Sequence, residues 1–134
     1  SWASPANFLK TLPIGEKLEK WRIRNVVYIF NGRTKQNMPL YFQFYKNCKA
    51  NSKRLNIQDA VTKMRIPHLV VHGSEDPTVL LTGAKNIKSW NANTRLHIIE
   101  GANHVLGGFH PYDLEKFPKD LQEAVDVTIA FLKE

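Results

Sequence analysis

One cysteine, Cys48, is all the thiol chemistry these 134 residues possess. That excludes an internal disulfide framework and any zinc site built on several cysteines. No run of about eighteen apolar residues occurs, so nothing reads as a membrane span. The N-terminus lacks the charged-then-apolar pattern of a signal peptide. Acidic residues are scarce in the first half. Residues 1–66 hold 13 Lys and Arg against 3 Asp and Glu, a net +10, whereas residues 67–134 hold 6 against 9, a net −3; the whole chain carries +7. The first half is thus a surface for an anionic partner or substrate to meet. What remains is ordinary: 43% hydrophobic and 23% charged residues, enough to bury a core and fold as one domain. Length and composition alone suggest a small, complete domain.

Periodicity divides the chain near residue 65. Ser1–Pro13 reads as a loop with one short helical turn, and Gly15–Trp21 as a short amphipathic helix through Leu18 and Trp21. Val26–Phe30 is β-branched and aromatic and runs into Asn31-Gly32, a pair suited to a type I′ hairpin turn. The expected return strand is Arg33–Asn37, ended by Pro39. Leu40–Lys49 and Asn56–Met64 follow as helices, the latter with Asn56 as a plausible N-cap and Ile57, Ala60, Val61 and Met64 at helical spacing.

Beyond residue 65 the pattern changes. Leu69-Val70-Val71 is apolar without alternation, as in a strand buried on both faces of a parallel sheet. A helix is expected over Thr78–Trp90, a second strand over Arg95–Glu100, a loop over Gly101–Asp113, and a helix over Pro118–Lys133 with a stripe of Leu121, Val125, Ile129 and Leu132. With right-handed crossovers, strand–helix–strand–helix makes an α/β unit with two parallel strands.

Two loops leave the carboxyl ends of those strands, where ligands bind in open α/β sheets. The first, Gly73-Ser74-Glu75-Asp76-Pro77-Thr78-Val79, offers a carboxylate. The second, Glu100-Gly101-Ala102-Asn103-His104, offers an imidazole. The crossover brings both to one rim, where an Asp can accept from the imidazole Nδ1–H, fix its tautomer and stabilise the imidazolium formed on protonation.

The residues Ile66-Pro67-His68-Leu69-Val70-Val71-His72-Gly73-Ser74-Glu75-Asp76-Pro77-Thr78-Val79 resemble the acid-bearing strand and turn of the α/β-hydrolase superfamily. Its dienelactone-hydrolase-like and prolyl-oligopeptidase-like branches carry a similar pattern, P-hydrophobic-H-G-x-x-D-x-x-V. Ile98-Ile99-Glu100-Gly101-Ala102-Asn103-His104-Val105 resembles the histidine loop of the same families, and the order Asp, then His, is theirs. The resemblance implies that Asp76 is the acid and His104 the general base of a Ser-His-Asp triad acting on carboxylic esters or related acyl bonds. It covers residues 66–134, the expected βαβα part of the hydrolase domain. Residues 1–65 resemble a cap or connecting segment that follows the sixth strand of bacterial members, with Ser1–Pro5 as the tail of that strand.

The nucleophile elbow G-x-S-x-G is absent. Ser74 lies in the acid turn; Ser1, Ser4, Ser52, Ser89 and Cys48 lack the glycine frame; the oxyanion donor loop is missing as well. The expectation is therefore a C-terminal part of a larger hydrolase, inactive by itself, whose exposed strand edge is covered by the missing N-terminal part or by a second copy. A small acyl compound is the substrate of the parent enzyme. No cofactor or metal is expected: His104, His110 and Asp113 match no metal-ligand spacing. His72 reads as a local structural residue, and His68 and His110 as surface or rim residues. The lone cysteine and absent signal suit the cytoplasm.

A non-catalytic binding module is the alternative. Lys46, Lys49, Lys53 and Arg54 follow Tyr41, Phe42, Phe44 and Tyr45, and cations beside aromatics can hold an anionic polymer. A solvated helix face with the aromatics turned inward is the favoured reading, and nucleic acid the less favoured partner. A basic cap that draws anionic substrates towards the rim is a third reading.

Overall fold

A computed structural model describes residues 1–32 and 34–134; Arg33, the first residue of the expected return strand, lies outside the described residues. The chain forms two compact units, residues 1–6 with 57–134, and residues 7–56.

The larger unit is built on the parallel pair β3 (His68–Gly73) and β4 (Thr94–Ile99), in register from His68 opposite Thr94 to Gly73 opposite Ile99. Residues 1–3 run parallel along the other edge of β3: Trp2 bridges to Val71, the Ala3 N–H donates to the Val71 carbonyl at 2.9 Å, and the Val71 N–H donates to the Ser1 carbonyl at 3.0 Å. β3 is therefore central, which explains why Leu69, Val70, Val71 and His72 are all buried. Side chains alternate across the sheet. Leu69 and Val71 join Ile99, Ala102 and Leu106 under α5 (Lys119–Leu132). Val70 joins Val61, Ala84 and Ile87 on the other face, beneath α3 (Ile57–Lys63) and α4 (Leu81–Trp90). Two covered faces are the reason the strand carries no polar alternation.

Two elements differ from the expected ones. α4 begins at Leu81, not Thr78: residues 77–79 form a bend whose Thr78 and Val79 N–H groups donate to Asp76, and Leu80, at ψ 141°, is extended. In α5 the packed residues are Leu121, Ala124, Val127 and Phe131, whereas Ile129 and Leu132 of the expected stripe are exposed. Both sets satisfy helical spacing. The close approach permitted by Ala124, fully buried against the strands, selects between them.

An unexpected tie closes this unit. The buried Asn91 donates through Nδ2 to the Val61 and Met64 carbonyls, each at 2.7 Å, and accepts the Asn93 N–H at 2.9 Å. The end of α4 is thereby fastened to the end of α3.

The smaller unit contains a single 3₁₀ turn at Phe8–Thr11, α1 (Gly15–Arg24), the hairpin β1 (Val26–Asn31) and β2 (Gln36–Tyr41), and α2 (Phe42–Ala50). The hairpin is antiparallel, with Asn31 opposite Gln36, so four residues connect the strands rather than an Asn-Gly pair. Lys35, at φ +57°, takes the left-handed conformation that the expected turn required of Gly32. Pro39 does not end the return strand: it pairs with Tyr28 inside it. A two-stranded hairpin has only edge strands, where the missing N–H of proline is tolerated. Trp21 is the anchor of this unit. It is fully buried, donates to the Leu40 carbonyl at 2.9 Å, and meets Phe42 and Tyr45 edge-on at 5.6 and 6.1 Å between ring centres.

Candidate active site

Both expected site residues lie just beyond the carboxyl ends of β3 and β4, and the fold brings them together. His104 Nδ1 is 2.8 Å from Asp76 Oδ2. The two loops meet so closely because residue 73 is glycine. A Cβ there would sit 2.2 Å from the Ala102 carbonyl oxygen and 2.7 Å from its carbon. Backbone ties stitch the loops: the Ser74 N–H donates to the Ile99 carbonyl at 3.0 Å, and the Glu75 N–H to the Ala102 carbonyl at 3.1 Å. The Ser74 hydroxyl oxygen accepts the Gly101 N–H at 2.8 Å, so this serine fastens one loop to the other.

Asp76 is buried, with 4% of its surface exposed. Its Oδ1 accepts the N–H groups of Thr78 and Val79, both at 2.8 Å, which leaves Oδ2 for His104. Burial pushes the carboxyl up. Hydrogen bonds from the Val79 N–H, the His104 ring and the Thr78 N–H together outweigh it and hold Asp76 below the usual carboxylate range. An ionised Asp76 can only accept, so the hydrogen lies on His104 Nδ1 and Nε2 is left as the basic nitrogen. His104 keeps about a third of its side chain exposed. Its loop is held by Asn103, whose Oδ1 accepts the Val105 and Gly107 N–H groups at 3.1 and 3.2 Å.

The other histidines stand apart from this pair or support it. His68 begins β3, at the opposite end of the strand, and its Nδ1 lies 3.2 Å from the Thr94 hydroxyl. His110 is exposed. His72 is fully buried, with Nε2 2.7 Å from the Val79 carbonyl. A second histidine–carboxylate pair, His97 Nε2 with Glu123 Oε1 at 2.8 Å, links β4 to α5; no motif in the sequence signals it, because the two residues belong to different elements. Among the described residues, no serine hydrogen-bonds His104, and no three His, Cys, Asp or Glu side chains group as metal ligands do. Cys48 is buried in α2. Clefts of about 770 and 260 Å³ run along α5, and neither is lined by Asp76 or His104.

The arrangement can take up a proton at His104 Nε2 and stabilise the resulting cation with a buried carboxylate. No protein-family model and no curated protein matches the chain. Solved structures do. Est1E from Butyrivibrio proteoclasticus superposes with a TM-score of 0.53 at 21% identity, over 72% of this chain and 33% of that one. The esterase domain of a Rhodothermus marinus protein superposes with a TM-score of 0.49 at 16% identity, over 80% of this chain and 42% of that one. This chain thus spans about a third of the length of Est1E. The likeness is one of fold. The chain thus shares a mixed α/β fold with part of Est1E.

Proposed function

We propose that Asp76 and His104 are the acid and the general base of a serine hydrolase acting on carboxylic esters or related acyl bonds, whose nucleophile lies outside these residues. The observation that carries this reading is the 2.8 Å contact between His104 Nδ1 and Asp76 Oδ2 at the carboxyl ends of two parallel strands. In the reaction, His104 Nε2 takes the proton of the attacking serine as the acyl–serine bond forms. It then gives that proton to the departing alkoxide as the ester C–O bond breaks. Water repeats the sequence on the acyl-enzyme and releases the acid. Asp76 holds the ring in the productive tautomer and faces the imidazolium while it exists. Residues 7–56 act as a cap or connecting segment in this reading.

Coding DNA upstream of Ser1 supplies the test. An in-frame G-x-S-x-G is expected there. The joined protein should hydrolyse a chromogenic short-chain ester, and His104→Ala should lower kcat/KM by roughly 10⁴–10⁶-fold. The 134-residue chain alone should neither turn over the ester nor react with a fluorophosphonate probe. Labelling of a serine within it overturns the reading.

A binding module for an anionic polymer is the second reading, and one observation favours it. Residues 7–56 hold 11 Lys and Arg against 2 Asp and Glu. Phe42 and Tyr45 stack inward with Trp21, but Tyr41 and Phe44 remain exposed on the same stretch as the exposed Lys46, Lys49 and Lys53. Binding of single-stranded nucleic acid with a steep salt dependence supports this reading; no binding at low salt removes it.

A further inference from the structure

Of the buried polar side chains, His72 alone has a nitrogen, Nδ1, without a hydrogen-bond partner among the described residues. Its ring is fully buried at the penultimate position of β3, four residues before Asp76. The other nitrogen, Nε2, lies 2.7 Å from the Val79 carbonyl oxygen and 3.5 Å from Asp76 Oδ2, the oxygen that His104 also contacts. A carbonyl only accepts, so the ring hydrogen is on Nε2 and the unpartnered Nδ1 is a bare acceptor. Burying such an acceptor without a partner is unfavourable. A leucine or phenylalanine would fill the same place without that cost, so the Nε2–H must do something an apolar side chain cannot.

What it holds is the carbonyl of the residue whose N–H orients the acid. The Val79 N–H donates to Asp76 Oδ1 at 2.8 Å, while the Val79 carbonyl accepts from His72. The Val79 residue is therefore fixed at both its donor and its acceptor, one tie running to the carboxylate and the other to the rigid central strand. We infer that His72 is a positioning residue: its Nε2–H clamps the Val79 carbonyl, which aims the Thr78 and Val79 N–H groups at Asp76 Oδ1 and keeps Oδ2 turned towards His104. The ring also sets its Nε2–H edge 3.5 Å from Oδ2. Its importance for catalysis rests on the proposed role of Asp76 and His104; the clamp itself is a statement about geometry in this chain.

The clamp predicts different behaviour for two polar substitutions of similar size. Glutamine carries its N–H donor where His72 has Nε2, and asparagine carries it where His72 has Nδ1. NMR of the 134-residue chain reads the result through the hydrogen-bonded His104 Nδ1–H, which resonates far downfield while Asp76 accepts from it. His72→Gln should retain that resonance and His72→Asn should lose it, with amide shifts outside residues 72–80 and 100–106 unchanged. Equal behaviour of the two variants, both retaining or both losing the signal, overturns the proposal. A measurement on the unaltered chain covers the case in which a variant fails to fold. Long-range ¹H–¹⁵N spectra should show His72 as the Nε2–H tautomer, and the Nδ1–H tautomer overturns the proposal. Neither experiment needs turnover, so a chain that passes both and yet fails the upstream-serine test would keep the clamp and lose the hydrolase.

Discussion

Gly73 and Ala102 are packed so tightly that no side chain fits between them: an added Cβ would stand 2.2 Å from the Ala102 carbonyl oxygen. The obstacle is backbone, which cannot swing aside as the end of a long side chain can. The approach brings the turn after β3 against the turn after β4, and the 2.8 Å contact between Asp76 and His104 depends on it.

Gly73→Ala should therefore damage both stability and site. Forcing one methyl into a packed interior costs about 1–3 kcal/mol, and the two loops must separate to admit it. Chemical denaturation should show a loss of that size. The downfield His104 Nδ1–H signal should weaken in the folded protein at the same time.

Asp76 should govern part of the acid limb of stability. Its folded pKa lies below its unfolded value, so its contribution is complete above the ordinary carboxylate pKa, about 3.9, and is lost as pH falls through the folded value. Asp76→Asn should remove that dependence and lower stability at pH 7 by about 1.5–3 kcal/mol, the worth of a hydrogen bond to a charged group. Urea unfolding of both proteins between pH 7 and pH 2 measures the difference, which should shrink as the pH falls.

Asn91 should prove as important as an apolar core residue. Asn91→Ala strands the Val61 and Met64 carbonyls without their donor, at a cost of about 1–3 kcal/mol. Asn91→Asp should be worse, since a carboxylate would face the same two carbonyls. Thermal melts should rank the proteins unaltered, then Ala, then Asp.

Trp21→Ala should open the smaller unit. Removing a buried tryptophan costs about 3–5 kcal/mol, and here it also frees the Leu40 carbonyl and leaves Phe42 and Tyr45 without their edge contact. Trp21→Phe should recover part of the loss, because it restores aromatic packing without the N–H. Amide hydrogen exchange in α1 and α2 reads both variants.

The parts of the fold legible in the sequence are those set by local chemistry. Leu69-Val70-Val71 reads as a strand covered on both faces and is one, and the expected loops do follow β3 and β4. Where several local solutions were equally good, sequence could not choose. Asn31-Gly32 suits a two-residue turn, yet the register of β1 against β2 makes the connection four residues long. Two stripes of α5 have helical spacing, and the burial of Ala124 against the strands chooses one.

The residue types, their order and the asymmetry of charge thus belong to the sequence alone, because spacing along the chain and side-chain chemistry need no partner to be read. The start of α4 follows the turn that Asp76 holds through the Thr78 and Val79 N–H groups and the extended backbone of Leu80. The role of His72 emerged only when its ring met the Val79 carbonyl, seven residues away. Hydrogen bonds from side chain to backbone leave no periodic trace, since they depend on where a turn places its peptide groups. That placement follows from the approach of β3 and β4, a contact between segments about 28 residues apart that only the folded chain contains.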